Sequence, residues 1–222
     1  NVKPQRQKGY YTAAVALPLG DATAEQLRAL ADITRRFTAG TIRTTVEQNF
    51  LLRWVSGADL LALFEALQAA GLAGAGANNI LDVVACPGTD TCKLGISSSR
   101  GLAGELRTRL AGKSFQMDEA VQGLHIKISG CFNSCSQHGV ADLGFYGSSR
   151  TVNGIKVPHF QVVVGGQWEN NGGAYGLPIV AVPSKRVPEA VDRITGFYLQ
   201  EKQKGESFHN FIKRVGKGPV RK

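Results

Sequence analysis

The sequence predicts an α/β chain of the α+β kind in two units, and three observations carry that prediction. Apolar periodicity alternates between strand-like and helical stretches along residues 10–71. A glycine- and alanine-rich run, GLAGAGANN (71–79), then interrupts the pattern as a linker does. Beyond it, apolar runs lead into two close cysteine pairs, Cys86 with Cys92 and Cys131 with Cys135. These breaks give an arm at 1–9, a first unit at 10–71 and a second at 72–222 with a basic C-terminal tail.

Residues 1–9 (NVKPQRQKG) are polar and read as a linker or arm. The chain begins without Met and holds one Met, at position 117, so a processed chain or excised segment is expected. YYTAAVALPLG (10–20) reads as a buried strand ending on Pro18 and Gly20. From Ala22 the pattern is helical: Thr23 and Gln26 have capping-box spacing, Leu27, Leu30, Ala31 and Phe37 share a face, and Gly40 stops the run. A strand pair is expected over Thr41–Val55, with Ile42, Val46, Phe50, Leu52 and Trp54 as its apolar members. A second amphipathic helix covers Ala58–Ala70 and ends at Gly71.

In the second unit, ILDVVA (80–85) reads as a continuous strand running into Cys86. Residues 94–111 read as a helix, which places Cys92 near a helix N-terminus, where the dipole favours a thiolate or an anionic cluster. LHIKISG (124–130) is a strand running into Cys131, so two strand ends bring the cysteine pairs to one edge. VADLGFYG (140–147) and HFQVVVGG (159–166) extend the sheet through a hairpin at Asn153 and Gly154. QWENNGGAYG (167–176) reads as a surface loop. Helices over 188–202 and 207–215 finish the chain, and KRVGKGPVRK (213–222) reads as a solvated tail.

Composition excludes several function classes. No apolar run approaches the roughly 20 residues that span a bilayer. The net charge of +9 invites a nucleic-acid reading, but no recognition motif and no basic stripe interleaved with aromatics supports one. Thiols without a targeting segment suit a reducing, cytoplasmic setting. GLAGAGANN lacks the strand–turn–helix context of a dinucleotide fingerprint, and no carboxylate pair at useful spacing supports glycosidase-type acid–base chemistry.

The four cysteines carry the chemistry. Five residues separate the first two, 38 lie between the pairs, and three separate the last two. Four thiolates from two loops can hold a [4Fe–4S] cluster, whose irons each take one soft anionic sulfur. The same four can close a tetrahedral zinc site, although the gap holding Pro87 and Gly88 is wider than a zinc knuckle. Two disulfides are a third reading, in a chain long enough to bury a core without staples.

RTTVEQNFLL (43–52), the Cys-x5-Cys segment and ISGCFNSCSQHGVADLGFYG (128–147) together resemble the second half of siroheme-dependent nitrite and sulfite reductases, over roughly residues 5–215. The resemblance implies a ferredoxin-like half-domain followed by a mixed-sheet domain that binds siroheme and [4Fe–4S]. It implies that Cys86, Cys92, Cys131 and Cys135 ligate the cluster and that Cys135 bridges to the siroheme iron. The implied reaction is six-electron reduction of nitrite to ammonia or sulfite to sulfide. Arg43, Thr45, Gln48 and Asn49 become candidates for contact with the siroheme carboxylates, against the plainer reading that they shape a strand and a turn. Asn133 is a candidate for a bond to a cluster sulfur or for shaping the loop. Lys93 and Lys127 flank cysteine segments, with solvated side chains as the commoner outcome. His138 tempts a metal-ligand reading that four cysteines make unnecessary, while His125, His159 and His209 read as structural. Implied partners are the family's first half or a second copy of this chain, an acidic electron donor such as ferredoxin, and a small anion. Two alternatives stay open: a precorrin-3B synthase-like enzyme and a non-catalytic cluster-carrying electron-transfer module.

Overall fold

The computed structural model describes residues 1–113, 116–168 and 173–221. Residues 169–172 of the expected QWENNGGAYG loop, and Lys222 of the tail, lie outside that set. The chain divides into two compact units, Asn1–Asn78 and Asn79–Lys222.

The first unit is a four-stranded antiparallel sheet with two helices. Its strands are β1 (Val2–Pro4), β2 (Tyr10–Val15), β3 (Arg43–Thr44) and β4 (Phe50–Ser56), in the order β1-β2-β4-β3. The expected arm is therefore not a free linker: Val2, Lys3 and Pro4 pair with Ala13, Thr12 and Tyr11. Backbone pairing recruited a polar segment that hydrophobic periodicity does not detect, as an edge strand allows.

Helix α1 (Ala24–Phe37) starts on the complete Thr23–Gln26 capping box, and α2 (Leu60–Ala69) follows β4. Leu30, Ile33 and Phe37 of α1 and Leu63 and Leu67 of α2 pack with Val15, Leu17, Leu52 and Val55 of the sheet side. Ile42, Val46 and Trp54 are exposed rather than core members. A register shift opposite Tyr11–Ala13 puts Trp54 at φ 63°, which turns its ring outward against Tyr10.

The second unit is built on a five-stranded mixed sheet, β5 (Val84–Ala85), β6 (Ile126–Ser129), β7 (Leu143–Val152), β8 (Ile155–Val164) and β9 (Leu177–Pro183), hydrogen-bonded in that order. β5, β6 and β7 run parallel, and β7, β8 and β9 antiparallel. Asn153 and Gly154, both at positive φ, close the β7–β8 hairpin. Helices α3 (Ser99–Ala111), α4 (Glu119–Gln122), α5 (Val187–Glu201), α6 (Phe208–Val215) and α7 (Lys217–Val220) complete it. The expected six-residue strand at 80–85 shrinks to Val84–Ala85, because residues before it form turns, with Asn79 accepting from the Leu81 and Asp82 amides. Short α7 occupies part of the segment expected to be a solvated tail. No helix is long and apolar enough to cross a membrane among the described residues.

Candidate metal centre

Parallel pairing of β5 with β6 sets Val84 beside Lys127 and Ala85 beside Ile128, so both strands end at one edge of the sheet. The Cys86 amide donates to the Ile128 carbonyl at 3.1 Å, extending the ladder into the first cysteine. Cys131 follows the end of β6 at Ser129 with only Gly130 between them. The segment after Cys92 wraps over the same point, where the Ile96 and Ser97 amides both donate to the Gly130 carbonyl, at 2.8 and 3.1 Å.

Glycine makes this approach possible. A Cβ on Gly130 would lie 2.6 Å from the Gly88 Cα, so backbone meets backbone between the two cysteine loops and no side chain fits. A Cβ on Gly147 of β7 would in turn collide with the Gly130 carbonyl oxygen.

The sulfurs divide by exposure. Cys86 and Cys131 are buried, Cys92 and Cys135 are exposed, and all four are free thiols. The Gly130 N–H donates to Cys86 Sγ at 3.1 Å, and Ser99 Oγ lies 3.5 Å from the same sulfur. Ser99 gives its hydroxyl proton to the Cys86 carbonyl at 2.7 Å, so the Gly130 amide is the donor aimed at this sulfur. Helix α3 begins at Ser99 and is capped by Ser98, not at residue 94. The cysteine next to its first turn is therefore Cys86, not Cys92 as the sequence suggested. Cys92 sits in a turn, its amide bonded to the Gly88 carbonyl. Ser97 and Ser99 are held by tertiary bonds to β-strand carbonyls and to Cys86, which delays the helix.

Among the described residues, no group of three or more His, Cys, Asp or Glu is gathered closely enough to hold a metal ion. The four candidate donors are all thiols, two strand ends bring Cys86 and Cys131 to one edge, and a backbone amide is aimed at the Cys86 sulfur. An all-thiol donor set suits the soft irons of a [4Fe–4S] group.

Lys127 is 1% exposed, contrary to the expected solvated side chain. β6 is buried on both faces, and the ammonium reaches Gln137 Oε1 at 3.1 Å and sits 5.0 Å from the Trp168 ring centroid. His138 is buried, bonds Ser129 Oγ through Nδ1 at 2.9 Å and packs on Tyr146. Burial holds its pKa below the usual value, so the ring is neutral near pH 7. His125 pairs with Asp142, and His159 and His209 bond backbone carbonyls. Asn133 and Lys93 are exposed.

In the first unit Arg43 is exposed, Thr45 and Gln48 are half-buried and Gln48 takes φ 63° in the turn before β4. Asn49 is buried, and its Oδ1 accepts from the Leu17 amide at 2.8 Å, a structural bond that ties this turn to the end of β2. Sequence reasoning passed over Ser99, Ser129, Ser136 and Gly130. Only the glycine has a local signal, lying between a strand and a cysteine.

Two family models match the chain: the nitrite/sulfite reductase ferredoxin-like half domain over residues 3–70, and the nitrite and sulphite reductase 4Fe-4S domain over residues 76–222. The chain is similar to sulfite reductase (ferredoxin) 1 of Mycolicibacterium paratuberculosis, 29% identical over 97% of this chain and 39% of the relative. It is 28% identical to the chloroplastic ferredoxin–nitrite reductase of Spinacia oleracea over 87% of this chain and 32% of that one. The solved structure of the Mycobacterium tuberculosis NirA protein superposes with a TM-score of 0.84 at 26% identity, covering 100% of this chain and 41% of that one. Dissimilatory sulfite reductase I shares the fold, with a TM-score of 0.73 at 14% identity over 95% of this chain and 68% of that one. The chain spans about 40% of the length of the sulfite reductases it matches. With its cysteine loops inside the matched 4Fe-4S region, the chain belongs to the nitrite and sulfite reductase family.

Proposed function

We propose that this chain is the cofactor-bearing half of a reductase that carries nitrite to ammonia or sulfite to sulfide in six-electron steps. The observation that carries the reading is the meeting of the Cys86 and Cys131 loops at one sheet edge within the family's 4Fe-4S domain. The cofactors of that family are a [4Fe–4S] cluster and siroheme.

In this reading Cys86, Cys92, Cys131 and Cys135 hold the cluster. Bound there, the cluster and siroheme would supply the single electrons that the reduction needs. Buried Cys86 and Cys131 anchor the inner side, with the Gly130 amide stabilising sulfur charge. Exposed Cys135 would be the thiolate shared by cluster and siroheme, and Asn133 on the same loop would shape its approach. Arg43, Thr45 and Gln48 supply donors suited to siroheme carboxylates. Asn49 sets the turn that carries them, through Leu17.

The name ferredoxin–nitrite reductase, borne by relatives of this chain, supports an acidic ferredoxin as donor, and the net charge of +9 suits such a partner. The chain covers 39% of one sulfite reductase relative, and contacts to the substrate anion would come from a further part of the protein or a second copy. Anaerobic purification of the chain, with iron, zinc, acid-labile sulfide and absorption measured together, tests the reading. About four iron and four sulfide with a siroheme band support it. Stoichiometric zinc overturns it, and a cluster that takes up no siroheme limits the chain to electron transfer.

A further inference from the structure

The Cys131–Cys135 loop is closed at its base by side chains that the proposed ligand set does not use. Ser129 lies two residues before Cys131 and Ser136 one after Cys135, and their hydroxyls are hydrogen-bonded at 2.6 Å. The Ser136 amide also donates to Ser129 Oγ, at 3.4 Å, and His138 Nδ1 bonds the same oxygen at 2.9 Å. All three side chains are buried. One strand turn away on the same face of β6, Lys127 Nζ donates to Gln137 Oε1. Two β6 side chains thus hold three consecutive residues after Cys135.

The loop needs such a hold. Ser134 and Gln137 both take left-handed backbone conformations, at φ 60° and 63°, which L-residues other than Asn and Asp seldom adopt. The tip is pulled toward solvent, with Phe132 71% exposed and Asn133 and Cys135 also exposed. Buried hydroxyls and an imidazole between two strands carry a desolvation cost, which their mutual bonds offset only in this closed arrangement.

We propose that Ser129, Ser136 and His138 form a clasp that positions Cys131 and Cys135, acting as positioning residues that fix the direction of both thiolates. The inference rests on the reading of these cysteines as cluster ligands and Cys135 as the bridge. It assigns the clasp no contact with substrate or cofactor.

The test begins with the full chain, metal-free and reduced, treated with iodoacetamide and read at each cysteine by mass spectrometry. In the parent, exposed Cys92 and Cys135 react quickly and buried Cys131 slowly. Ser129→Ala and His138→Phe, the second keeping an aromatic ring against Tyr146, each speed Cys131 modification roughly tenfold by opening the loop. Ser136→Ala does the same, and Ser136→Thr, which keeps the hydroxyl, stays within about twofold of the parent. Rates for Cys131 unchanged in Ser129→Ala and His138→Phe overturn the clasp, as does a Ser136→Thr variant that behaves like Ser136→Ala.

A second readout uses the reconstituted chain. Ser136→Ala alters the electron paramagnetic resonance signature of coupling between cluster and siroheme while iron content is retained. An unaltered signature at full iron content overturns the positioning role. If Cys135→Ser leaves that coupling intact, the bridging assignment fails, and the alkylation rates still judge the clasp by themselves.

Discussion

At Gly130 a single missing side chain lets two cysteine loops touch. Gly130→Ala would drive a methyl group against the Gly88 backbone, which cannot rotate away as a side chain does. We expect it to abolish cluster assembly and lower the melting temperature of the second unit, read by iron content and circular dichroism. The Asn49 carboxamide is the matching case in the first unit. Asn49→Ala strands the buried Leu17 amide and is expected to cost about 1–3 kcal/mol, measurable by urea denaturation. Had Asn49 served only a cofactor, the cofactor-free chain would keep its stability in this variant. At this scale the four cysteines proposed as ligands are legible, because thiol spacing is written in sequence. Lys127, Ser129 and Ser136 were not, because their roles come from partners up to ten residues away across a folded loop.

Elements were legible where a local rule sets their ends. The Thr23–Gln26 box fixes the start of α1 as its spacing predicts, and Thr23→Ala is expected to cost about 1 kcal/mol in a thermal or urea melt. Helix α3 departs from that pattern: three serines offer alternative caps, and with Ser97 and Ser99 engaged in tertiary bonds the cap falls to Ser98. Strand β9 was absent from the sequence reading, since two prolines obscure its pattern, although an edge strand tolerates them. The join between α5 and α6 carries a pH-dependent contact. The Arg214 guanidinium hydrogen-bonds the Glu206 carboxylate and, with the Gln203 amide, holds its pKa at about 2 against a reference of 4.5. The stabilisation is therefore present above about pH 4.5 and is lost as pH falls towards 2. Arg214→Gln should be less stable than the parent near pH 7, with the gap closing below pH 4.5, in urea melts taken across pH.

For the whole molecule, the net charge of +9 suits the acidic donor proposed above. Complex formation with an acidic ferredoxin should weaken steeply as ionic strength rises from about 0.01 to 0.3 M, where the screening length falls below about 10 Å. Salt-independent binding, read by isothermal calorimetry, would remove electrostatic attraction as the basis of that partnership. Sequence by itself determined the α/β class, the second sheet's entry into each cysteine pair and the four sulfur ligand candidates, because periodicity and spacing are local properties of the chain. Only tertiary structure decided that residues 2–4 join a sheet, that Cys86 rather than Cys92 neighbours the first turn of α3, and that a buried lysine and two serines hold the second cysteine loop. Those outcomes depend on which backbone and side-chain groups meet once water is excluded, and apolar periodicity and residue spacing do not record that meeting.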